Sequence, residues 1–155
     1  MTGAEIEAAV QAAERRCAAR GASLTALRGQ VLRLVLEAGQ PIGAYALLER
    51  LKGARGPAAP PTVYRALDFL LEQGLVHKLE RLNAFLPCVD PDEPCADGCA
   101  HDHPHQFLIC TSCGRTSEIA DHGVAHALDK AAARLGFRPA HATVEVEGIC
   151  AACTG

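Results

Sequence analysis

The chain has 155 residues, eight cysteines, seven histidines and a formal net charge of −3. Its 49% hydrophobic and 21% charged residues are typical of a globular protein, and the length suits one domain or two small ones. No run of about 18 apolar residues is present, so we expect no membrane span, and the first residues lack the apolar core of a secretory signal. We therefore expect a cytoplasmic chain with reduced thiols, in which cysteine pairs favour metal or redox chemistry over disulfides.

Charge and metal-binding residue types are divided unevenly along the chain. Residues 1–87 hold 11 Lys and Arg against 8 Asp and Glu, whereas residues 88–155 hold 4 against 10. Seven of the eight cysteines and six of the seven histidines follow Pro87. This asymmetry predicts three regions. The first is a domain at 1–87 that could face a polyanion, the second is a loop at 88–104 that is rich in metal-binding residue types, and the third is a domain at 105–155. The alternative interpretation is that the asymmetry is only the ordinary variation in charge between small domains.

The first region reads as helices followed by a hairpin. Four helices are predicted. The first spans 4–19, the second lies between the N-cap Thr25 and Gly39, the third spans about 43–52, and the fourth runs from Pro61 to about Gln73. The Gly and Pro residues of 53–61 exclude a helix there. Residues 75–80 and 83–88 read as two strands joined by a turn at Arg81 and Leu82. Helices followed by a hairpin are typical of a winged helix-turn-helix.

The fourth helix presents two different faces. Its apolar residues Val63, Leu67, Leu70 and Leu71 recur at helical spacing and predict a buried face. Polar residues, including Thr62, Tyr64 and Arg65, are left for solvent or a partner.

The second domain reads as β-β-α-β, so the whole chain is predicted to be α+β. Strands are predicted at 105–110, 116–120 and 141–148. A helix at about 121–135 follows from the spacing of Val124, Leu128, Ala131 and Leu135. The second strand of this domain contains Glu118, and the last one leads into a cysteine pair.

Two Cys-x-x-Cys pairs, Cys110 with Cys113 and Cys150 with Cys153, are separated by residues 114–149. Two intervening residues let both thiolates of a pair reach one ion, and four thiolates suit a closed, structural tetrahedral Zn²⁺ site. A redox pair is disfavoured because a thioredoxin-like motif begins a helix after a βαβ pattern, which we expect of neither pair. The sequence therefore predicts a structural zinc centre that closes the second domain.

A second, mixed metal site is less sharply defined. His77 and Cys88 lie on paired strands of the predicted hairpin, and His103 and Glu118 flank the first cysteine pair, so each pair could converge. A donor set of thiolate, imidazole and carboxylate favours Zn²⁺ over Mn²⁺ or iron. From spacing alone the choice stays open among these four and seven further residues: Cys95, Cys99, His101, His105, His122, His126 and His141.

Several motifs together resemble the ferric-uptake-regulator superfamily, and within it the zinc-uptake regulators. They are LTALR (24–28), PPTVYRALDFLLEQGLVHK (60–78), HPHQFLICTSCG (103–114) and GICAAC (148–153). The resemblance covers nearly the whole chain. It implies a homodimeric, zinc-responsive repressor of zinc-uptake genes, with an N-terminal winged helix, a C-terminal dimerisation domain and no small-molecule substrate.

The resemblance also implies a role for individual residues. It assigns Cys110, Cys113, Cys150 and Cys153 to structural zinc, and His77, Cys88, His103 and Glu118 to one regulatory zinc. The loop before His103 is longer than is usual for the family, so His101 and His105 remain alternatives to His103. A third, peripheral site could use Cys95 and Cys99 with His101 and either His105 or His122; a loop with incidental ligands is the alternative. For His141 we favour a structural role, and for Cys17 a packed position in the core.

The resemblance makes the helix from Pro61 the recognition helix, which reads the major groove of a pseudo-palindromic operator in double-stranded DNA. Arg65 can then bind a guanine edge with two hydrogen bonds. Tyr45 and Tyr64 suit thymine methyls or phosphates, and Thr62 at the helix start suits phosphate. Lys78 and Arg81 on the hairpin suit the DNA backbone or minor groove. A solvated helix face is the alternative interpretation of Arg65.

Other functions fit the sequence less well. A sensor of iron, manganese or peroxide is disfavoured by Cys88 in the mixed site. A zinc hydrolase or deaminase requires an open coordination position, whereas both proposed sites have four protein ligands. The H-x-E…P-C-x-x-C signature of the deaminases is also absent. A zinc-storage or chaperone protein would leave the winged helix without a role.

Overall fold

The computed structural model describes residues 1–55, 60–88, 105–140 and 142–155. The chain divides after Cys88 into two compact units. Within the described residues, no helix has both the length and the apolar character that a membrane crossing requires.

Four helices form most of the first unit. They are α1 (Gly3–Ala19), α2 (Ala26–Ala38), α3 (Ala44–Arg55) and α4 (Pro60–Glu72). Thr2 and Glu5 form a reciprocal capping box at the start of α1, and the Thr25 hydroxyl accepts a hydrogen bond from the backbone of Arg28 at the start of α2. Helix α2 ends at Gly39, whose φ of 63° is a left-handed conformation that glycine adopts without strain.

The prediction that 53–61 excludes a helix is wrong at both ends of that segment. Helix α3 continues through Gly53 to Arg55, and α4 begins at Pro60. A glycine inside a helix costs only about 1 kcal/mol, and proline in the first turn lacks a donor that would be unused there anyway. Residues 56–59 lie outside the described residues.

Helix α4 packs its apolar face into the core of the first unit. Val63, Ala66, Leu67 and Leu70 are buried, at the i, i+3, i+4, i+7 spacing of one helix face. Leu71 was expected on this face, but it lies at its flank and is only half-buried. Residues of α2, among them Val31 and Val35, complete the core against α4.

The predicted hairpin follows α4. Strands β1 (Val76–Leu79) and β2 (Ala84–Pro87) pair antiparallel, with His77 opposite Leu86. Residues 80–83 form the turn, and Asn83 has a positive φ of 46°, which asparagine tolerates better than most residues. The backbone of Phe85 also pairs with Ile42, which ties the hairpin to the segment between α2 and α3.

In its described residues, 105–140 and 142–155, the second unit contains three strands and two helices, and the predicted α+β class is confirmed. They are β3 (His105–Cys110), β4 (Thr116–Ile119), α5 (His122–Ala133), β5 (Thr143–Gly148) and α6 (Ala151–Thr154). The sheet order is β4-β3-β5, with β3 and β4 antiparallel and β3 and β5 parallel. Phe107 and Ile109 of the central strand are buried.

Two expectations about this unit are wrong. Helix α5 ends at Ala133, so Leu135 lies beyond it, and no residue of α5 is buried within the single chain. A short helix, α6, does begin at the second cysteine pair, because Cys150 has the extended backbone of an N-cap residue. The four thiols of the two pairs, which lie within 4.8 Å of one another, nevertheless fit a metal centre better than a two-thiol redox motif.

Candidate metal centres and nucleic-acid surface

The parallel pairing of β3 with β5 brings the two Cys-x-x-Cys pairs together. Cys110 ends β3 and lies opposite Gly148, the last residue of β5. Because parallel strands end at the same edge of a sheet, the turn after β3 and the start of α6 meet there. The backbone N–H of Thr111 donates to the carbonyl of Gly148 at 2.8 Å, which fixes the two segments beside each other.

The four cysteine sulfurs have the geometry of a tetrahedral metal centre. The Sγ atoms of Cys110, Cys113, Cys150 and Cys153 all lie within 4.8 Å of one another. Those of Cys113 and Cys150 are 3.8 Å apart. A tetrahedral zinc ion with Zn–S bonds of about 2.3 Å separates its sulfurs by about 3.8 Å. The cluster therefore fits a zinc ion.

Electrostatics also favours a cation among these thiols. The backbone N–H of Cys150 donates to the Sγ of Cys110 at 3.3 Å. This bond, together with one from Cys113, lowers the pKa of Cys110 to about 6. A hydrogen bond with Ser112 lowers the pKa of Cys153, but bonds with the neighbouring thiols and burial outweigh it and raise that pKa to about 11. A metal ion would compensate the charge of the additional thiolates.

His77 and Cys88 form a second pair of donors within the first unit. Their ligand atoms lie within 4.8 Å of each other. The register explains this proximity, because Cys88 follows Leu86, the partner of His77, by two residues and is therefore a diagonal neighbour on the same face. A backbone hydrogen bond of 3.0 Å from Cys88 to Leu75 continues the ladder. His77 is only 7% exposed, so it is held in a defined position.

The structure describes some of the other predicted metal ligands but not all of them. Glu118 is half-buried on β4 of the second unit, opposite Phe107, and His105 is half-buried at the start of β3. His103, Cys95, Cys99 and His101 lie outside the described residues, as does His141. His122 and His126 are half-buried on α5.

The residues predicted to contact DNA lie at the surface of the first unit. Tyr64 and Arg65 are exposed on the first half of α4, with Tyr64 at 54% exposure, and Thr62 is half-buried in its first turn. Tyr45, at the start of α3, is 74% exposed. An exposed arginine that follows an exposed tyrosine on the first half of a helix suits contacts with nucleic acid.

The hairpin contributes two further basic residues. Lys78 on β1 lies 3.4 Å from the carboxylate of Glu80 and is half-exposed. Arg81 is exposed in the turn.

Sequence reasoning missed Gln106, a buried polar residue that organises the second unit. It is 2% exposed, donates from Nε2 to the carbonyl of Asp121 at 2.8 Å, and accepts from the backbone N–H of Asp121 at 3.1 Å. Asp121 in turn caps α5 by accepting from Val124. A glutamine within the apolar run HQFLIC was the signal, because a buried amide must find partners.

Comparison with known proteins identifies the family. The sequence profile described as "Ferric uptake regulator family" matches residues 19–147. The chain belongs to the ferric uptake regulator family. Among its relatives, it is 44% identical to the "Zinc uptake regulation protein" of Escherichia coli (strain K12), over 91% of this chain and 78% of that protein. It is 34% identical to the protein of the same description from Mycobacterium tuberculosis (strain ATCC 25618 / H37Rv), over 59% of this chain and 64% of that protein.

A solved structure of this family is similar throughout. The structure described as "Zinc Uptake Regulator Complexed With Zinc AND DNA" superposes with a TM-score of 0.88 at 41% identity, covering 99% of this chain and 97% of that one. The similarity to the zinc-uptake branch predicted from the motifs is thereby confirmed.

Proposed function

We propose that this member of the ferric uptake regulator family is a zinc-responsive transcriptional repressor and not an enzyme. The zinc-loaded homodimer binds a pseudo-palindromic operator in double-stranded DNA and represses zinc-uptake genes. The single observation that carries the proposal is the tetrahedral spacing of four cysteine sulfurs in a chain similar to a zinc uptake regulator complexed with zinc and DNA. We place such a repressor in the cytoplasm, where it meets DNA.

The first zinc ion of this proposal is structural. Cys110, Cys113, Cys150 and Cys153 would hold it with four protein ligands and no open position. A closed thiolate site contributes to folding rather than to catalysis.

The second zinc ion is regulatory. His77 and Cys88 supply one thiolate and one imidazole at suitable spacing. The family resemblance adds His103 and Glu118 as the remaining ligands. A thiolate in the set disfavours manganese and iron, which prefer oxygen and nitrogen donors. A third ion, bound by Cys95, Cys99, His101 and His105, extends the proposal to the loop at 88–104.

DNA recognition is proposed for α4. Its first half presents Tyr64 and Arg65 to solvent, while its opposite face is anchored in the core. A helix anchored in this way enters the major groove with its N-terminal residues toward the base edges. Tyr45 of α3 and Thr62 add contacts to phosphates or thymine methyls, and Lys78 and Arg81 extend the interface to the DNA backbone.

Homodimer formation is proposed for the second unit because it exposes apolar side chains in two places. Leu108 and Val146 are paired neighbours on one face of the sheet, and both are exposed. Leu128 is exposed on α5, and Phe137, beyond its end, is 65% exposed. A small domain with this much exposed apolar surface is stabilised by a partner, and a two-fold dimer suits a palindromic operator.

Zinc-buffered DNA binding tests the proposal. The zinc-loaded protein selects duplexes from a random library, and the affinity for the selected duplex is then measured against free Zn²⁺. We expect wild-type affinity to fall about 5- to 150-fold as zinc is withdrawn from the regulatory site, the usual range for coupled ligands. Cys88→Ser should lose this response, whereas Cys17→Ala, which removes a thiol from the core, should retain it. Zinc-independent affinity, or an unaltered response of Cys88→Ser, would refute the proposal.

A further inference from the structure

The carboxyl end of α4 terminates in a defined hydrogen-bond motif that does not use the last carbonyls of the helix. The backbone N–H of Leu75 donates to Leu70 at 2.9 Å, and that of Gly74 donates to Leu71 at 3.0 Å. Together with the left-handed φ of 66° at Gly74, these bonds define a Schellman motif. The carbonyl of Gln73, which precedes Gly74, is not used by this motif and needs another donor.

Arginines from α1 and α2 occupy this end of α4. Nη1 of Arg20 donates to the Gln73 carbonyl at 3.3 Å. The guanidinium of Arg28 lies over the Phe69 ring, 3.8 Å from its centroid, and also donates to the Ser23 carbonyl at 2.7 Å. We refer to Arg20 and Arg28, with Arg16 of α1, as the arginine clamp.

Arg16 is the third member of the clamp because its guanidinium lies close to Gly74, the residue that follows Gln73 in the motif. A side chain at Gly74 would place its Cβ 3.4 Å from Nη2 of Arg16. All three positive charges also act on the buried thiol of Cys17: burial raises the pKa of Cys17, and the charges of the three arginines oppose that rise. The three arginines therefore share one environment at the end of α4.

The charge of α4 itself explains why cations gather there. Its last turn contains no basic residue and ends with Glu72. The carboxyl end of a helix carries partial negative charge, which nearby cations stabilise. Because these cations come from α1 and α2, they bind α4 to the rest of the unit at the end opposite to Tyr64 and Arg65.

We propose that the arginine clamp, through Arg28 above all, positions α4 for operator recognition. This inference rests on the proposed function of α4 as the recognition helix. A helix rises about 1.5 Å per residue, so the first turn of α4 lies about 15 Å from the clamped end. A tilt of about 5° would displace that turn by about 1.3 Å, enough to lengthen a hydrogen bond to a base edge beyond its useful range.

Arg28→Met tests this positioning against a matched control. Methionine retains a long apolar chain over Phe69 but removes the charge and the donors. Arg33→Met removes the same charge from the same helix, where Arg33 pairs with the exposed Glu7 and not with α4. Arg28→Lys retains the cation without the planar guanidinium, and it provides a milder variant should methionine impair folding.

The decisive quantity is sequence discrimination. It is the ratio of affinities of the zinc-loaded, full-length protein for its selected duplex and for the same duplex with one half-site base pair changed. We expect Arg28→Met to lower this ratio about fivefold or more, because part of a base contact is lost, while Arg33→Met leaves it unchanged. Arg28→Lys should lie between Arg28→Met and the wild type. Equal loss of affinity for both duplexes in Arg28→Met would overturn the proposal.

Hydrogen exchange provides a readout that needs no DNA. Amides of the last turn of α4 should exchange about fivefold faster in Arg28→Met than in Arg33→Met, because that turn is released. Unchanged exchange there would also overturn the proposal. Failure of the wild-type protein to enrich any duplex would refute the proposed function instead, and the exchange comparison would still decide whether the arginines hold α4.

Discussion

Removal of zinc from the four-cysteine centre should unfold the second unit and leave the first one folded. Within the described residues, the second unit buries only two large apolar side chains, Phe107 and Ile109. Burial of each contributes about 1.5–3 kcal/mol. A structural zinc site contributes about 10–16 kcal/mol of apparent binding free energy, which exceeds both burial contributions together. The first unit has a continuous helical core of apolar residues, and the four-cysteine centre lies outside it.

The assay is hydrogen exchange of the full-length protein before and after zinc chelation, followed strand by strand. Loss of about 4 kcal/mol already accelerates exchange about a thousandfold, so amides of β3 and β5 should lose protection almost completely. Amides of α2 should keep their protection from exchange. Cys153→Ser should behave like the chelated protein, whereas Cys88→Ser, the same change outside this centre, should not.

Retained protection of β3 and β5 after verified zinc loss would refute this reasoning. The sheet would then be held by its own packing or by the dimer contact, and the four cysteines would have to serve a purpose other than folding. Retained protection in Cys153→Ser with zinc still bound would show instead that three thiolates suffice.

Three further predictions concern the second unit. Gln106→Leu should lower the free energy of unfolding by about 1–3 kcal/mol in urea denaturation, because both backbone groups of Asp121 lose their partner. Leu128→Asp should shift the zinc-loaded protein from dimer to monomer in analytical ultracentrifugation, since it puts a charge on the exposed apolar surface of α5. Zinc binding should release more protons at pH 5 than at pH 7 in calorimetry across buffers of different ionisation enthalpy. With a pKa of about 6, Cys110 is already a thiolate at pH 7 and becomes protonated as the pH falls, whereas Cys153, with a pKa of about 11, gives up its proton at either pH.

Matched measurements make these predictions refutable. Gln11→Leu, which changes an exposed glutamine of α1, should leave the unfolding free energy within about 0.5 kcal/mol of the wild type. Leu82→Asp in the hairpin turn introduces the same charge at an exposed leucine of the first unit and should leave the dimer intact. Proton release that is independent of pH would contradict the ionisation of Cys110 at neutral pH.

Elements specified by local sequence were predicted well. Thr25 and Gly39 bound α2 as expected, since capping and left-handed backbone depend on single residues. The segment 53–61 was misjudged because α3 tolerates Gly53 in its last turns and Pro60 is compatible with a helix start. In both cases the local preference against a helix is weak at the position that the residue occupies.

Non-local pairing could not be predicted from spacing in the same way. The cysteine centre was predicted because four thiols in two identical pairs leave little chemical choice, although the parallel partner of β3 was unknown. The contacts of Gln106 and Arg28 depend on which elements pack together, and the motifs that contain these residues do not specify that packing. The apolar spacing of α5 was correct, but it predicts an apolar face without saying whether the same chain covers it.

The parallel register of β3 and β5 has a consequence for the order of folding. The β3–β4 hairpin is local and can form early, but Cys110 meets Cys150 only after the intervening helix and β5 have docked in register. A nascent chain can therefore offer a metal ion no more than the first cysteine pair of this centre, which is too few ligands for tight binding. Zinc capture at this centre is then the closing step of folding, so the rate at which the domain matures should depend on zinc supply only after its strands have paired.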